Sequence, residues 1–207
     1  VSTAEASPRQ QALRERLLLV AEQILATEGI GALRARDLAR QAGCAVGAIY
    51  TAYPDIDALI LAANARTLDA INEALAALPP PSPGPDGAAR RMEELAEAYL
   101  DFALANRARW DSLFAHRIAG GQPKPLWYQE RQLPMFRRLE ELLAALCPRM
   151  AEEALPPLAR TLFSAVHGIV LLGLEEKLVP TPLPLIRAEL QRMVRAIATG
   201  LRASAAT

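Results

Sequence analysis

The chain has 207 residues, 52% of them apolar, with 23 basic and 23 acidic side chains and therefore no net formal charge. That length supports one large domain or two modest ones, and the neutral balance weighs against a protein that coats nucleic acid through bulk positive charge, though not against a specific binder with locally gathered cations. Cys44 and Cys147 stand apart and in no Cys/His cluster, the start VSTAEASPRQQ lacks the apolar core of a signal peptide, and the apolar run Ile169–Leu174 is too short for a bilayer. The expectation is a cytoplasmic protein with no membrane partner, no metal and no cofactor.

Ala, Leu, Arg and Glu dominate and no segment alternates with period two, which predicts an all-α protein. The first helix is expected over Pro8–Thr27, with Leu13, Leu17, Val20, Ala21, Ile24 and Leu25 as its apolar stripe, ended by Gly29 and Gly31. Two short helices follow within Asp37–Tyr53. Pro54 opens a fourth that runs to Leu78. The proline-dense stretch Pro79–Gly87 cannot continue a helix and reads as a semi-rigid connector. Beyond it, helices are expected over 86–105, 107–118 and 126–146, the last kinked at Pro134, then over 158–178 and 185–202.

The segment Asp37–Tyr53, DLARQAGCAVGAIYTAY, carries the most information. Leu38, Ala39 and Ala42 make an apolar face, and Gly43 falls where a tight turn needs positive φ. Val46, Ile49, Tyr50 and Tyr53 recur at i, i+3, i+4 and i+7, the spacing of a buried face. A helix pair of this kind places one short helix in the DNA major groove.

These residues resemble the helix-turn-helix of the TetR (tetracycline-repressor-like) family. The matching positions are Leu38-Ala39, Ala42-Gly43, Gly47, Ile49-Tyr50, Tyr53, Asp57 and Leu59. The chain departs from the family pattern at Arg34, Ala45, Ala52 and Ile56, where a capping threonine, a serine, a histidine and a lysine are usual. A second resemblance lies in Arg109–Phe114 with Phe163, Val166, His167 and Gly168. It is similar to a WHG-type ligand domain of that family, with Phe163 in place of the tryptophan.

The resemblance implies an N-terminal three-helix head (1–53), a connecting helix (54–78) and a C-terminal helical ligand-binding and dimerisation domain (79–207). It implies a non-enzymatic, ligand-responsive repressor, a homodimer on a double-stranded DNA operator, released by a small apolar or aromatic effector. The candidate DNA-binding residues are Arg34, Arg36, Arg40, Ala45, Val46, Ala48, Tyr50 and Thr51. Small apolar side chains there suit thymine methyls. Tyr50 has two open readings, a phosphate contact or a half-buried core residue.

The candidate ligand-binding residues are Tyr99, Phe102, Trp110, Phe114, Trp127, Phe136, Phe163 and His167, with His116 as a further polar group. For each aromatic the alternative is an ordinary core residue, and for His167 a core imidazole bonded to backbone. No catalytic motif and no metal-ligand spacing is present. The apolar residues of the last two long helices, among them Leu162, Val166, Ile169, Leu172, Leu190 and Val194, form either a two-fold seam between subunits or an intrachain core. Gly168 and Gly173 would allow close approach there. The rival function is a helical ligand carrier or protein-interaction module with a vestigial head. It draws on the count over residues 1–60, where six arginines face seven acidic residues.

Overall fold

The computed structural model describes residues 7–175 and 181–205. Among the described residues there are ten α-helices and no strand. They are α1 (Pro8–Thr27), α2 (Ala35–Gln41), α3 (Val46–Ala52), α4 (Ile56–Ala76), α5 (Gly84–Ala105), α6 (Arg107–Ala115), α7 (Leu126–Glu130), α8 (Leu133–Leu146), α9 (Leu155–Gly173) and α10 (Leu183–Ala205).

Local chemistry sets the helix starts. The Ser7 side chain accepts from the Gln10 N–H and Pro8 occupies the first turn of α1. Asp55 Oδ1 accepts from the Ala58 N–H at 2.6 Å, so α4 starts at Ile56 rather than at Pro54. Pro134 does not kink a helix. The break falls at Arg131–Gln132 and Pro134 sits in the first turn of α8, where its missing N–H has no intrahelical partner to lose. Pro156 and Pro157 likewise lie inside the first turn of α9, which begins three residues earlier than its hydrophobic pattern suggests. α9 ends at Gly173, capped at Leu174, short of the expected Leu178; Glu176, Lys177 and Leu178 lie outside the described residues.

The chain divides into two compact units. The first holds residues up to Ala70 together with Asn106–Arg131; the second holds Ile71–Ala105 and Gln132 onward. By packing, α6 and α7 fall in the same unit as α1–α3 and most of α4. Trp110 is fully buried and Leu113 nearly so, and α6 lies on α1. Polar groups then tie α6 to α4. Ser112 Oγ donates to Asn64 Oδ1 at 2.5 Å, Asn64 Nδ2 donates to the Ser112 carbonyl at 3.2 Å, and His116 Nε2 lies 2.9 Å from Asp57 Oδ1. Tyr128 of α7 is buried against Leu61, Ala65, Leu68 and Ile118.

The rest of the first core is Leu17, Ala21, Ile24 and Leu25 of α1, Leu38 and Ala39 of α2, Ile49 of α3, Tyr53, and Leu59 of α4. Arg14 locks α3 onto it. Its Nη1 donates to the Ala52 carbonyl at 2.8 Å, its guanidinium lies 4.3 Å from the Tyr53 ring centre, and the Tyr53 hydroxyl donates back to the Arg14 carbonyl. A cation at the C-terminal end of a helix also opposes the partial negative charge there. Arg14→Ala is expected to destabilise this unit by about 1–2 kcal/mol, seen as a lower Tm with the helical content at 20 °C unchanged.

In the second unit α5 packs on α8 and α10, and α9 on α8 and α10. Leu95, Tyr99, Leu100, Leu142, Leu143, Leu162, Ile186, Leu190 and Val194 are buried. Arg187, Gln191, Arg195 and Arg202 of α10 pair in order with Asp101, Glu97, Glu93 and Asp86 of α5. That ladder sets the two helices antiparallel in a single register.

Candidate functional site

The turn between α2 and α3 is made at Gly43, φ +61°, a conformation that a side chain strains. It frees α3 to project one face. Ile49, Ala52 and Tyr53 are buried, whereas Val46 is 39% and Tyr50 51% exposed. The expected four-residue buried face is therefore half right. In a seven-residue helix the i+3 and i+7 positions reach the core, while Val46 and Tyr50, four apart, form the adjoining outward stripe with Gly47 and Thr51. Ala45 is exposed and Ala48 half-buried. Neither Arg34 nor Ala45 makes a side-chain cap, so the N–H groups that open α2 and α3 lack those partners.

Charge around this face is asymmetric, which a count over residues 1–60 hides. Glu15 and Glu22 both hold Arg66, at 2.6 and 3.0 Å. Asp37 pairs with Arg40 at 3.1 Å, and Asp55 caps α4. Asp57 accepts from the Ala119 N–H and then from His116, and these bonds hold its carboxyl below the usual range. Arg34 and Arg36 are exposed and form no ion pair among the described residues. Arg9 and Arg16, which composition counted but motif reasoning passed over, line the groove that runs along Ala48 and Thr51 of α3. Their signal was available as a seven-residue spacing on one face of α1.

The aromatics separate. Tyr99, Phe136, Phe163 and His167 come together in the second unit. Phe163 stacks on His167 at 5.7 Å and meets Tyr99 and Phe136 edge-on at 5.5 Å each. The Tyr99 hydroxyl and His167 Nδ1 share a hydrogen bond of 3.0 Å. Beside them is a cavity of about 40 Å³, lined by Tyr99, Phe163, Val166 and a set of Leu and Met side chains with no charged group. Phe102 is half-buried on α5 and does not line it.

Trp110, Phe114, Trp127 and His116 do not join this set; all four belong to the first unit. Buried Trp110 meets Phe114 edge-on at 5.3 Å, but Phe114 is 39% and Trp127 44% exposed. Trp110 and Phe114 are four residues apart, so they share a helix face. Which core they enter depends on non-local packing against α1 and α4.

Burial pushes the His167 pKa below the ordinary 6.5. The sign follows: a depressed imidazole value means that the unfolded chain binds the proton first, so stability is full above pH about 6.5 and falls as the pH drops below it. Melting curves at pH 7.5 and pH 5 are expected to show a smaller Tm loss for His167→Gln than for the wild type.

α9 is the other unusual element. With the turn before it, Glu152–Gly173 holds an 18-residue window of mean hydropathy 1.4 and is long and apolar enough to cross a bilayer by composition alone. Yet only Ala159, Leu162 and Val170 of the helix are buried. Thr161, Ala165, Gly168 and Leu172 follow one face, Leu172 is 58% exposed, and a Cβ on Gly168 would meet open space. Gly173 instead faces Ile186 of α10, where a Cβ would come within 3.0 Å. On α10, Ile186, Leu190, Val194 and Ala198 are buried, whereas Leu183 and Leu185 are 40% and 48% exposed.

Residues 17–63 match the family described as bacterial regulatory proteins, tetR family, and residues 92–197 match the tetracyclin repressor-like C-terminal domain. No protein with a curated description matches the chain. Among solved structures it is similar to a protein of unknown function from Rhodococcus sp. RHA1, with 24% identity over 98% of this chain and all of the other (100%), TM-score 0.69. BioQ, solved with its double-stranded DNA operator, is similar at 17% identity, 92% and 98% coverage and TM-score 0.63. The multidrug binding protein EbrR, solved with imidazole, follows at 19% identity, 91% and 93% coverage and TM-score 0.58. At these identities the likeness is one of fold.

Proposed function

The chain belongs to the TetR family of bacterial regulatory proteins, and on that premise we propose that this DNA-binding regulator is a homodimeric repressor released from its operator by a small apolar effector. The observation that carries the reading is the outward stripe of α3, flanked by arginines that form no ion pair among the described residues, while Glu15, Glu22, Asp37, Asp55 and Asp57 are engaged elsewhere. Val46 and Ala48 suit thymine methyls, and Tyr50 and Thr51 offer hydroxyls to phosphate. Arg34 and Arg36, joined by Arg9 and Arg16, supply the phosphate charge; Arg40 would act while holding Asp37.

The exposed face of α9 is the natural seam for a second copy. Small residues along it permit close approach, and a two-fold axis supplies the paired heads that successive major grooves require. That use also accounts for a helix so apolar and so little buried.

The effector would enter the cavity beside Tyr99 and Phe163. It shifts the regulator only if it favours the released state over the DNA-bound one. The chain passes between the two units at Ala70–Ile71, Ala105–Asn106 and Arg131–Gln132. A change in α5 or α8 therefore has covalent routes to α6 and α7, besides the one along α4. Its place of action is the cytoplasm, where bacterial DNA lies.

Selection of bound fragments from random DNA with the full chain tests the reading. Enrichment of a pseudo-palindrome is the expected result, with Tyr50→Ala binding that fragment about tenfold more weakly in a gel-shift titration. If no sequence is enriched and no specific complex forms at low salt, the head is vestigial and the chain is a ligand carrier or interaction module.

A further inference from the structure

The apolar cavity of the second unit has an outer neighbour. Leu75 and Leu95 line the cavity, and the same two side chains form part of a second cleft of about 240 Å³. Pro79–Pro81 of the connector wall this cleft, and Arg91, Arg138 and Glu141 supply its charges. The cavity and the charged cleft thus share Leu75 and Leu95 as lining side chains.

We propose that the effector is an amphiphile with an uncharged chain in the cavity and a single carboxylate in the connector cleft, held by Arg138. The inference rests on the cavity being the effector site and adds the chemistry of its occupant.

The two arginines have different roles. Arg91 is nine-tenths buried, with Nε 3.0 Å from the Glu94 carboxylate and Nη2 donating to the Pro79 carbonyl. Its charge is used and it fixes the connector as a wall. Gly87 helps, because the Ser82 carbonyl lies where a Cβ would sit. Arg138 is half-buried and forms no ion pair among the described residues. Its one hydrogen bond there, from Nη1 to Asn72 Oδ1, is 3.5 Å long, at the limit for such a bond. A guanidinium carries five donors in a planar fork, which a carboxylate meets with two parallel bonds.

Helix register places this cation correctly. Met135 and Leu139 of α8 line the cavity, while Arg138 and Leu142 line the cleft. One helix thus presents apolar groups inside and a cation at the mouth. Glu141, one turn on from Arg138, disfavours a dianion such as a phosphate monoester. The cavity itself has room for about three water-sized spheres, so a chain must move side chains to enter. Met92, Met135 and Met193 line it, and methionine yields more readily than a branched residue.

Calorimetric titration of the full chain with octanoate, octan-1-ol and octylamine tests the inference. Octanoate is expected to bind about tenfold more tightly than octanol, in line with a charge-assisted bond to Arg138. Arg138→Gln should bring octanoate down to the octanol level and leave octanol itself unchanged. Equal affinities in the wild type, octylamine as the tightest of the three, or octanoate binding untouched by Arg138→Gln would each overturn the carboxylate assignment while leaving the cavity as an effector site. Ala96→Phe, which fills the cavity, should silence both octanoate and octanol; octanoate binding that survives it places the ligand elsewhere. If that variant loses its helical content, competition replaces it: octanol must displace octanoate from the wild type, and failure to compete is equally fatal. Absence of binding by all three probes removes the effector cavity along with its carboxylate.

Discussion

Val46→Glu is expected to abolish specific operator retention while leaving the melting temperature within a degree or two of the wild type. Val46 is already 39% exposed, so its replacement costs little burial. Its neighbours on the outward stripe are Gly47 and Tyr50, and the buried residues of α3 are Ile49 and Ala52. A carboxylate on the groove-facing side meets the negative potential of two phosphate backbones. Like charges brought together across an interface cost several kcal/mol, so affinity should fall about 100-fold or more. Gel-shift titration of the selected fragment measures this, and circular dichroism controls for folding. Retained binding would mean that α3 does not face the groove.

Leu172→Glu is expected to convert a dimer into a monomer. Leu172 is 58% exposed in the single chain, so a glutamate there is solvated and the monomer folds normally. In a two-fold seam along α9 the new charge appears twice and loses its water. An unpaired charge taken into such an interface costs about 3–5 kcal/mol, a weakening of over 100-fold in dimer affinity. Light scattering after size exclusion should read half the wild-type mass at micromolar concentration. Operator binding should fall with it, because a lone head contacts one half-site. A wild type that is already monomeric would place the seam elsewhere and leave the α9 face without a second copy.

The contrast between these two sites explains what was legible in the chain itself. The helix-turn-helix could be read because its determinants are local. Gly43 supplies a backbone conformation, Leu38 and Ile49 supply helix periodicity, and all lie within a short stretch. The head's charge could not be read by counting. Six arginines against seven acids looked neutral, yet Glu15 and Glu22 serve Arg66 and Asp57 serves Ala119 and His116. Those partners are 44 to 62 residues apart. Only the fold shows which cations remain for DNA.

The aromatic set shows the same limit. Trp110 and Phe114, like Phe163 and His167, are four residues apart on one helix, and each pair is in ring contact. Spacing carries no information on whether two such helix faces meet. Trp110 entered the first core because α6 lies on α1 and its Ser112 bonds Asn64, whereas Phe163 entered the second beside Tyr99. The sequence by itself therefore determined the all-α class, the helix-turn-helix and most helix spans, since these depend on φ/ψ preference, capping and a 3.6-residue period. Tertiary structure alone decided which helices pack together, which arginines stay unpaired among the described residues and which apolar face of α9 is left uncovered. Those outcomes follow from contacts between residues distant in the chain, and no local pattern encodes them.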